Sequence, residues 1–269
     1  MGVKVEIVQI KSRLGKIRDN YELHASELRS STADCVVFPE LSLTGYVLRD
    51  LVYELVAEAQ RYSEKLSEEG RCAIFGTLAE VRPGIIWNAA GVVVDGKLTY
   101  VPKFFLPTYG LFEERRYFQP GDPKRDLVTF RIRDVNFGVV ICEDAWHPEP
   151  IEALARMGAD LVFVPSASPV RRLSQPLDIQ VSWQSLLRAH SLMNGVWTVF
   201  SNMVGAQEEE FFWGGSFFMS PRGKVTAEAP IMEESRLLGN ITLDEVRLSR
   251  RFSSFRDHIR EFHEVLRNL

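Results

Sequence analysis

Apolar and polar positions along this chain fall into two alternating rhythms: short β-branched runs and longer amphipathic stretches. Val3 to Ile10 alternates and reads as an opening strand, and Tyr21 to Ser30 has the mixture of a surface helix. Asp34 to Glu40 is a short apolar run stopped by Pro39, so Glu40 is expected at the carboxyl end of a buried strand. Residues 50 to 69 are helical in pattern, with Gly70 as the cap, and Cys72 to Leu78 is a further strand. Ile85 to Val94 and Leu98 to Val101 flank Asp95-Gly96, which suits a tight hairpin turn, and Lys103 emerges just beyond. Residues 102 to 126 lack periodicity and are expected to form a long functional loop.

The second half repeats the alternation. Phe137 to Ile141 predicts a strand that runs straight into Cys142-Glu143-Asp144, followed by a helix over Pro150 to Gly158. A strand at Asp160 to Val164, a helix at Ile179 to Met193 and a strand at Val196 to Ser201 come next. Phe211 to Ser220 and Lys224 to Ala229 read as two strands joined by a turn at Pro221-Arg222-Gly223. From Phe252 to Leu269, Phe255, Ile259, Phe262 and Leu266 are spaced for one helical face. The pattern predicts an α/β fold in which two sheets are sandwiched by helices. No repeat and no linker interrupts it, so residues 1–269 are expected to form one domain.

Composition narrows the function. The 269 residues are 45% hydrophobic and 25% charged with a formal net charge of -4, which offers no basic footprint for nucleic acid and suits a small-molecule ligand. Charges within the first residues argue against a signal peptide, and no apolar run is long enough for a membrane helix, so a cytoplasmic protein is expected. Cys35, Cys72 and Cys142 are too scattered for a disulfide scaffold and are expected as reduced thiols. The five histidines show no ligand spacing, so neither metal nor cofactor is expected.

Reactive groups in α/β sheets collect beyond the carboxyl ends of strands, where Glu40, Lys103 and Cys142 are all predicted. A thiol needs a base, a cation or helix-terminal amides to act as a nucleophile, and Glu40 and Lys103 are candidates for base and cation. Each residue also has a plainer reading. Cys142 after Val-Val-Ile suits a small buried hydrophobe, Glu40 a helix cap or ion pair, Lys103 a surface cation, and Glu114 a solvated cluster with Arg115 and Arg116. A cysteine–histidine enzyme is a further alternative, with His147 or His190 as the partner.

Three segments resemble the glutamate, lysine and cysteine motifs of the nitrilase superfamily of carbon–nitrogen hydrolases, in order. They are Phe38-Pro39-Glu40-Leu41-Ser42-Leu43-Thr44-Gly45-Tyr46, Lys103-Phe104-Phe105-Leu106-Pro107 and Ile141-Cys142-Glu143-Asp144-Ala145-Trp146. Within that superfamily, the stretch from Leu106 to Phe118 and Asn202 to Glu209 with Gly214-Gly215-Ser216 resemble the glutaminase domain of glutamine-dependent NAD synthetases. The resemblance implies a four-layer α-β-β-α sandwich and thioester chemistry on a small amide or, alternatively, a nitrile. It implies Glu40, Lys103, Cys142 and Glu114 as the catalytic set, and Tyr46, Tyr109, Phe112, Glu143 and Ser168 as the substrate pocket. It further implies a homo-oligomer and a possible separate synthetase that uses the released ammonia, with an ammonia-supplying or regulatory subunit of such an NAD synthetase as an alternative role. The 269 residues hold no Ser-Gly-Gly-x-Asp-Ser phosphate loop, so NAD synthesis is not expected of them alone. Ala206 and Trp213 stand where that branch commonly has glycine and aspartate, and Ser166-Ala167-Ser168-Pro169 lacks its leading asparagine. Which amide is the substrate stays open.

Overall fold

The apolar runs become the central strands of two facing sheets. The computed structural model describes residues 2–110, 112–170 and 176–252, with backbone only at 176–178. The first half contains β1 (Gly2–Gln9), α1 (Ile17–Ser30), β2 (Cys35–Val37), α2 (Leu51–Ser67), β3 (Cys72–Arg82), β4 (Ile85–Val94) and β5 (Lys97–Pro102). The expected loop carries two short helices, α3 (Glu114–Tyr117) and α4 (Pro123–Asp126). The second half contains β6 (Thr129–Ile132), β7 (Val135–Val139), a 3-10 turn over Cys142–Trp146, α5 (Pro148–Arg156), β8 (Leu161–Ser166), α6 (Pro176–Asn194) and β9 (Trp197–Asn202). It closes with β10 (Val204–Gln207), β11 (Glu210–Trp213), β12 (Phe217–Met219), β13 (Val225–Glu228), β14 (Ser235–Thr242) and α7 (Leu243–Arg251).

Among the described residues the sheets run β14-β1-β2-β3-β4-β5 and β13-β12-β9-β8-β7-β6. Each has three parallel strands at its centre, β1-β2-β3 and β7-β8-β9, and antiparallel strands outside them. Successive side chains point to opposite faces, which sorts every central strand into two cores. Val5, Ile7, Val37 and Ile74 meet Phe137, Val139, Leu161 and Phe163 between the sheets. Their neighbours Val36, Phe38 and Phe75 turn outward onto α1 and α2 through Leu28, Val56 and Leu66. Val162, Val164 and Phe200 likewise turn onto α5 and α6 through Leu154, Trp183 and Leu187. The result is the expected four-layer α-β-β-α sandwich, and burial on both faces is why the strands read as unbroken apolar runs.

Some elements differ from the sequence reading. Phe211 to Ser220 is not one strand, because Gly214 and Gly215 adopt φ of 72° and 59° and break it. β11 pairs with β10 in a separate hairpin, while β12 joins the second sheet. β14 pairs with β1 at the edge of the first sheet, where Arg236 forms an ion pair with Glu6 at 2.9 Å. The helix starts at Ile17, whose buried side chain belongs to the core beneath it. The amphipathic tail beyond Phe252 lies outside the described residues.

Candidate active site

Four segments converge at one end of the sandwich because each follows the carboxyl end of a strand: Glu40 after β2, Lys103 after β5, Cys142 after β7 and Ala167 after β8. Two of the connections are sharply bent. Leu41, next to Glu40, has φ of 47°, and Cys142 itself has φ of 46°, a left-handed conformation unfavourable for a side chain with a Cβ. The Glu40 bend fits only because Gly76 lies beneath it. The Gly76 N–H donates to the Pro39 carbonyl at 3.1 Å, and a Cβ there would lie 1.8 Å from the Leu41 nitrogen.

Lys103 is buried, with the ammonium between two carboxylates: Nζ donates to Glu40 Oε1 at 2.7 Å and to Glu114 Oε1 at 2.6 Å. An ammonium has three N–H groups, so one remains for a ligand among the described contacts. Glu40 Oε1 also accepts from Asn88 Nδ2 at 2.8 Å, and Oε2 from the Ala167 N–H at 2.9 Å. The same Ala167 N–H faces the Cys142 sulfur, which brings thiol and carboxylate together. Tyr46 donates its hydroxyl to Glu114 Oε1 at 2.6 Å, while Glu114 Oε2 is buried and has no partner.

Burial sets the electrostatics. It pushes the Cys142 thiol well above the ordinary range, with Glu40 adding to the rise and Lys103 opposing it. Burial would lower Lys103, yet Glu114 and Glu40 outweigh it and hold the ammonium charged well above its usual range. Glu114 is raised by burial to about 7 against the pull of Lys103. Tyr46 rises well above its usual range through burial and the Glu114 charge. A thiolate is therefore unfavourable at rest, and Cys142 must lose its proton as it reacts.

The cysteine turn and the lysine loop are tied by a residue whose role the sequence reading did not assign. Asp144 is wholly buried and accepts from the Phe104 and Phe105 N–H groups at 2.9 and 2.7 Å and from the Ile141 N–H at 2.9 Å. Burial raises its carboxyl to about 7 despite these donors. Asn88 was likewise unassigned, although a single polar residue inside the apolar run of β4 is a usable signal.

The expected pocket residues separate into two settings. Tyr46, Tyr109 and Phe112 form an aromatic series, with Phe112 edge-on to Tyr46 at 6.4 Å and to Tyr109 at 5.6 Å. Tyr109 donates its hydroxyl to Glu143 Oε2 at 2.8 Å. A cleft of about 550 Å³ reaches Tyr46, Phe112 and Glu114 and is rimmed by Arg49, Arg116 and Glu208, but Cys142 does not line it. Ser168 is buried, with its hydroxyl accepting from Trp183 at 2.9 Å and Trp213 at 3.3 Å. His147 stacks on Phe105 at 3.6 Å, and His190 bonds to the Ala145 carbonyl through Nε2 at 2.9 Å while its Nδ1 is buried without a partner among the described residues. Among the described residues no His, Cys, Asp or Glu group is arranged to hold a metal, and no helix is long and apolar enough to cross a membrane.

Comparison with known proteins gives a consistent picture. Residues 4–251 match the family model described as carbon-nitrogen hydrolase. The glutamine-dependent NAD(+) synthetase of Acinetobacter baylyi is 31% identical over 251 residues, covering 91% of this chain and 45% of its own length. The chain thus spans less than half of that relative. Among solved structures, a carbon-nitrogen hydrolase from Helicobacter pylori G27 aligns over 99% of this chain and 98% of its own, with a TM-score of 0.88 at 23% identity. An amidase of the nitrilase superfamily from Nesterenkonia AN1, a C145A mutant, aligns over 98% and 97% with a TM-score of 0.82 at 21% identity. These two likenesses speak for the fold.

Proposed function

The chain belongs to the carbon–nitrogen hydrolase family, enzymes that act on non-peptide amides, and on that premise we propose that it hydrolyses a small amide through a thioester on Cys142. The observation that carries the reading is the buried Lys103 ammonium, held between Glu40 and Glu114, with Glu40 and the thiol facing one backbone N–H.

In this mechanism Glu40 takes the Cys142 proton as sulfur attacks the amide carbon. The tetrahedral oxyanion is stabilised by the third N–H of Lys103 and by the Glu143 backbone N–H at the start of the 3-10 turn. Glu40 returns the proton to the nitrogen, the C–N bond breaks, and ammonia or an amine leaves. Glu40 then activates water, which cleaves the thioester and restores the thiol. Glu114 holds Lys103 and offers its unpartnered oxygen to the substrate N–H. Tyr46, Tyr109, Phe112 and Glu143 shape the pocket, and Ser168 supports it from behind through Trp183 and Trp213.

A second reading is favoured by the synthetase relatives: the amide is glutamine, and the ammonia passes to a separate ammonia-using synthetase. A nitrile would enter the same chemistry through a thioimidate. The test is ammonia release from L-glutamine, asparagine, aliphatic amides, an ω-amidodicarboxylate and a nitrile. Cys142→Ala, Glu40→Gln and Lys103→Met are each expected to reduce turnover at least 10³-fold. Full turnover of an accepted amide by all three variants would overturn the mechanism, and release from glutamine alone would select the ammonia-supplying role.

A further inference from the structure

The other two cysteines lie apart from this chemistry. Cys35 opens β2 and Cys72 opens β3, and Glu40 lies beyond the other end of β2. They are register partners in a parallel pair, so both side chains leave the same face of the sheet, toward the core between the sheets. Their sulfur atoms are 2.7 Å apart, and both are free thiols. Neighbouring strands are spaced about 4.8 Å apart, within the range of Cα separations that a disulfide spans, so a bond needs little backbone movement.

Access to the two differs. Cys35 is wholly buried, whereas Cys72 is partly exposed and lines a cleft of about 370 Å³ together with Asp34, Asp95, Arg131 and Arg133. We propose that Cys35 and Cys72 form a reversible dithiol–disulfide site, oxidised by a hydroperoxide that enters through this cleft, separate from the Cys142 centre.

The reaction starts at the accessible sulfur. The Cys72 thiolate attacks the distal peroxide oxygen, the O–O bond breaks, and Cys72 becomes a sulfenic acid as an alcohol or water leaves. Cys35 sulfur then attacks Cys72 sulfur, its proton leaves with the displaced hydroxide as water, and the S–S bond forms. Two thiols and one hydroperoxide give one disulfide, one alcohol or water, and one water. Thiol exchange with an external reductant restores both cysteines. Burial pushes the Cys35 thiol well above its ordinary range, with Cys72 adding to it, which leaves the partly exposed Cys72 as the sulfur that meets the oxidant first.

The experiment is titration of the native chain and of Cys142→Ala with hydrogen peroxide, followed by maleimide alkylation in concentrated urea, which exposes the buried Cys35, then intact mass measurement and peptide mapping. The expected result is a loss of two hydrogens, a linked peptide joining Cys35 to Cys72 in both proteins, and recovery of both alkylation sites after dithiothreitol. In Cys35→Ala, Cys72 is expected to be trapped by dimedone as sulfenic acid. Sulfinic acid at Cys72 with Cys35 still alkylatable in the native chain would overturn the proposal, as would a Cys72 link between two chains. Mapping the native chain keeps the result independent of whether either variant folds, and of whether the amide chemistry above is correct.

Discussion

Glu114 carries one crowded oxygen and one bare one. Oε1 accepts from Lys103 and Tyr46, while Oε2 is buried without a partner, an arrangement that costs roughly 1–3 kcal/mol unless a proton or ligand fills it. Burial has already raised this carboxyl from 4.5 to about 7, so a substrate N–H donor at Oε2 favours the ionised form. We therefore expect kcat/KM to rise with pH through about 7 as Glu114 ionises, and Glu114→Gln to remove that limb with a loss on the order of 10²-fold. Stability should move the other way. Between 4.5 and about 7 the folded chain keeps a proton that the unfolded chain has released, so the Glu114 contribution falls as pH rises across that window. Urea midpoints of the two proteins should diverge in slope over this range, and parallel slopes with an unchanged rate profile would refute the assignment. Glu40, Lys103 and Cys142 stood out in sequence through three motifs that resemble the family's, each following a predicted strand. Asp144 and Asn88 were not, because their bonds reach Phe104, Phe105 and Glu40, from 39 to 48 positions away.

At the scale of elements, the site depends on bends that end β2 and β7. Gly76 on β3 leaves room for the first bend, since a Cβ there would meet backbone at 1.8 and 2.4 Å, and backbone cannot give way as a side chain can. Gly76→Ala should cost about 1–3 kcal/mol in a urea melt and reduce turnover by roughly 10²-fold through displacement of Glu40. An active variant with wild-type stability would mean that the bend is softer than its contacts imply. Asp144 holds the second bend to the lysine loop. Asp144→Asn replaces one acceptor with an N–H facing a backbone N–H, so turnover should fall at least tenfold with KM less affected than kcat. Wild-type kcat in that variant would detach Asp144 from catalysis. The strands leading to both bends were readable because they are apolar on both faces. β14 was not, since its exposed and half-buried residues alternate without a sustained apolar run, and the break at Gly214-Gly215 was hidden inside a long aromatic stretch.

Across the whole molecule, the candidate centre straddles the seam between the sheets. Glu40, Asn88 and Lys103 belong to the first sheet and its connections, whereas Cys142, Asp144 and Ala167 belong to the second. Their contacts cross the seam twice, at Glu40 to Ala167 and at Asp144 to Phe104 and Phe105. Relative sliding of the sheets by even an ångström would therefore misplace the thiol against the proposed base and cation. What opposes sliding is the shared core, where Phe163 of the second sheet is wholly buried in one cluster with Ile7, Val37 and Ile74 of the first. Truncating it leaves a cavity that side chains from both sheets must line, so Phe163→Ala should cost about 3–5 kcal/mol. If the seam is the common support, amide turnover and far-UV circular dichroism should be lost together in urea, in both the native chain and the variant. Loss of turnover well before the circular dichroism signal in both would instead place the weak point in the lysine loop, and the inter-sheet core would then not be what holds the two halves of the site in register.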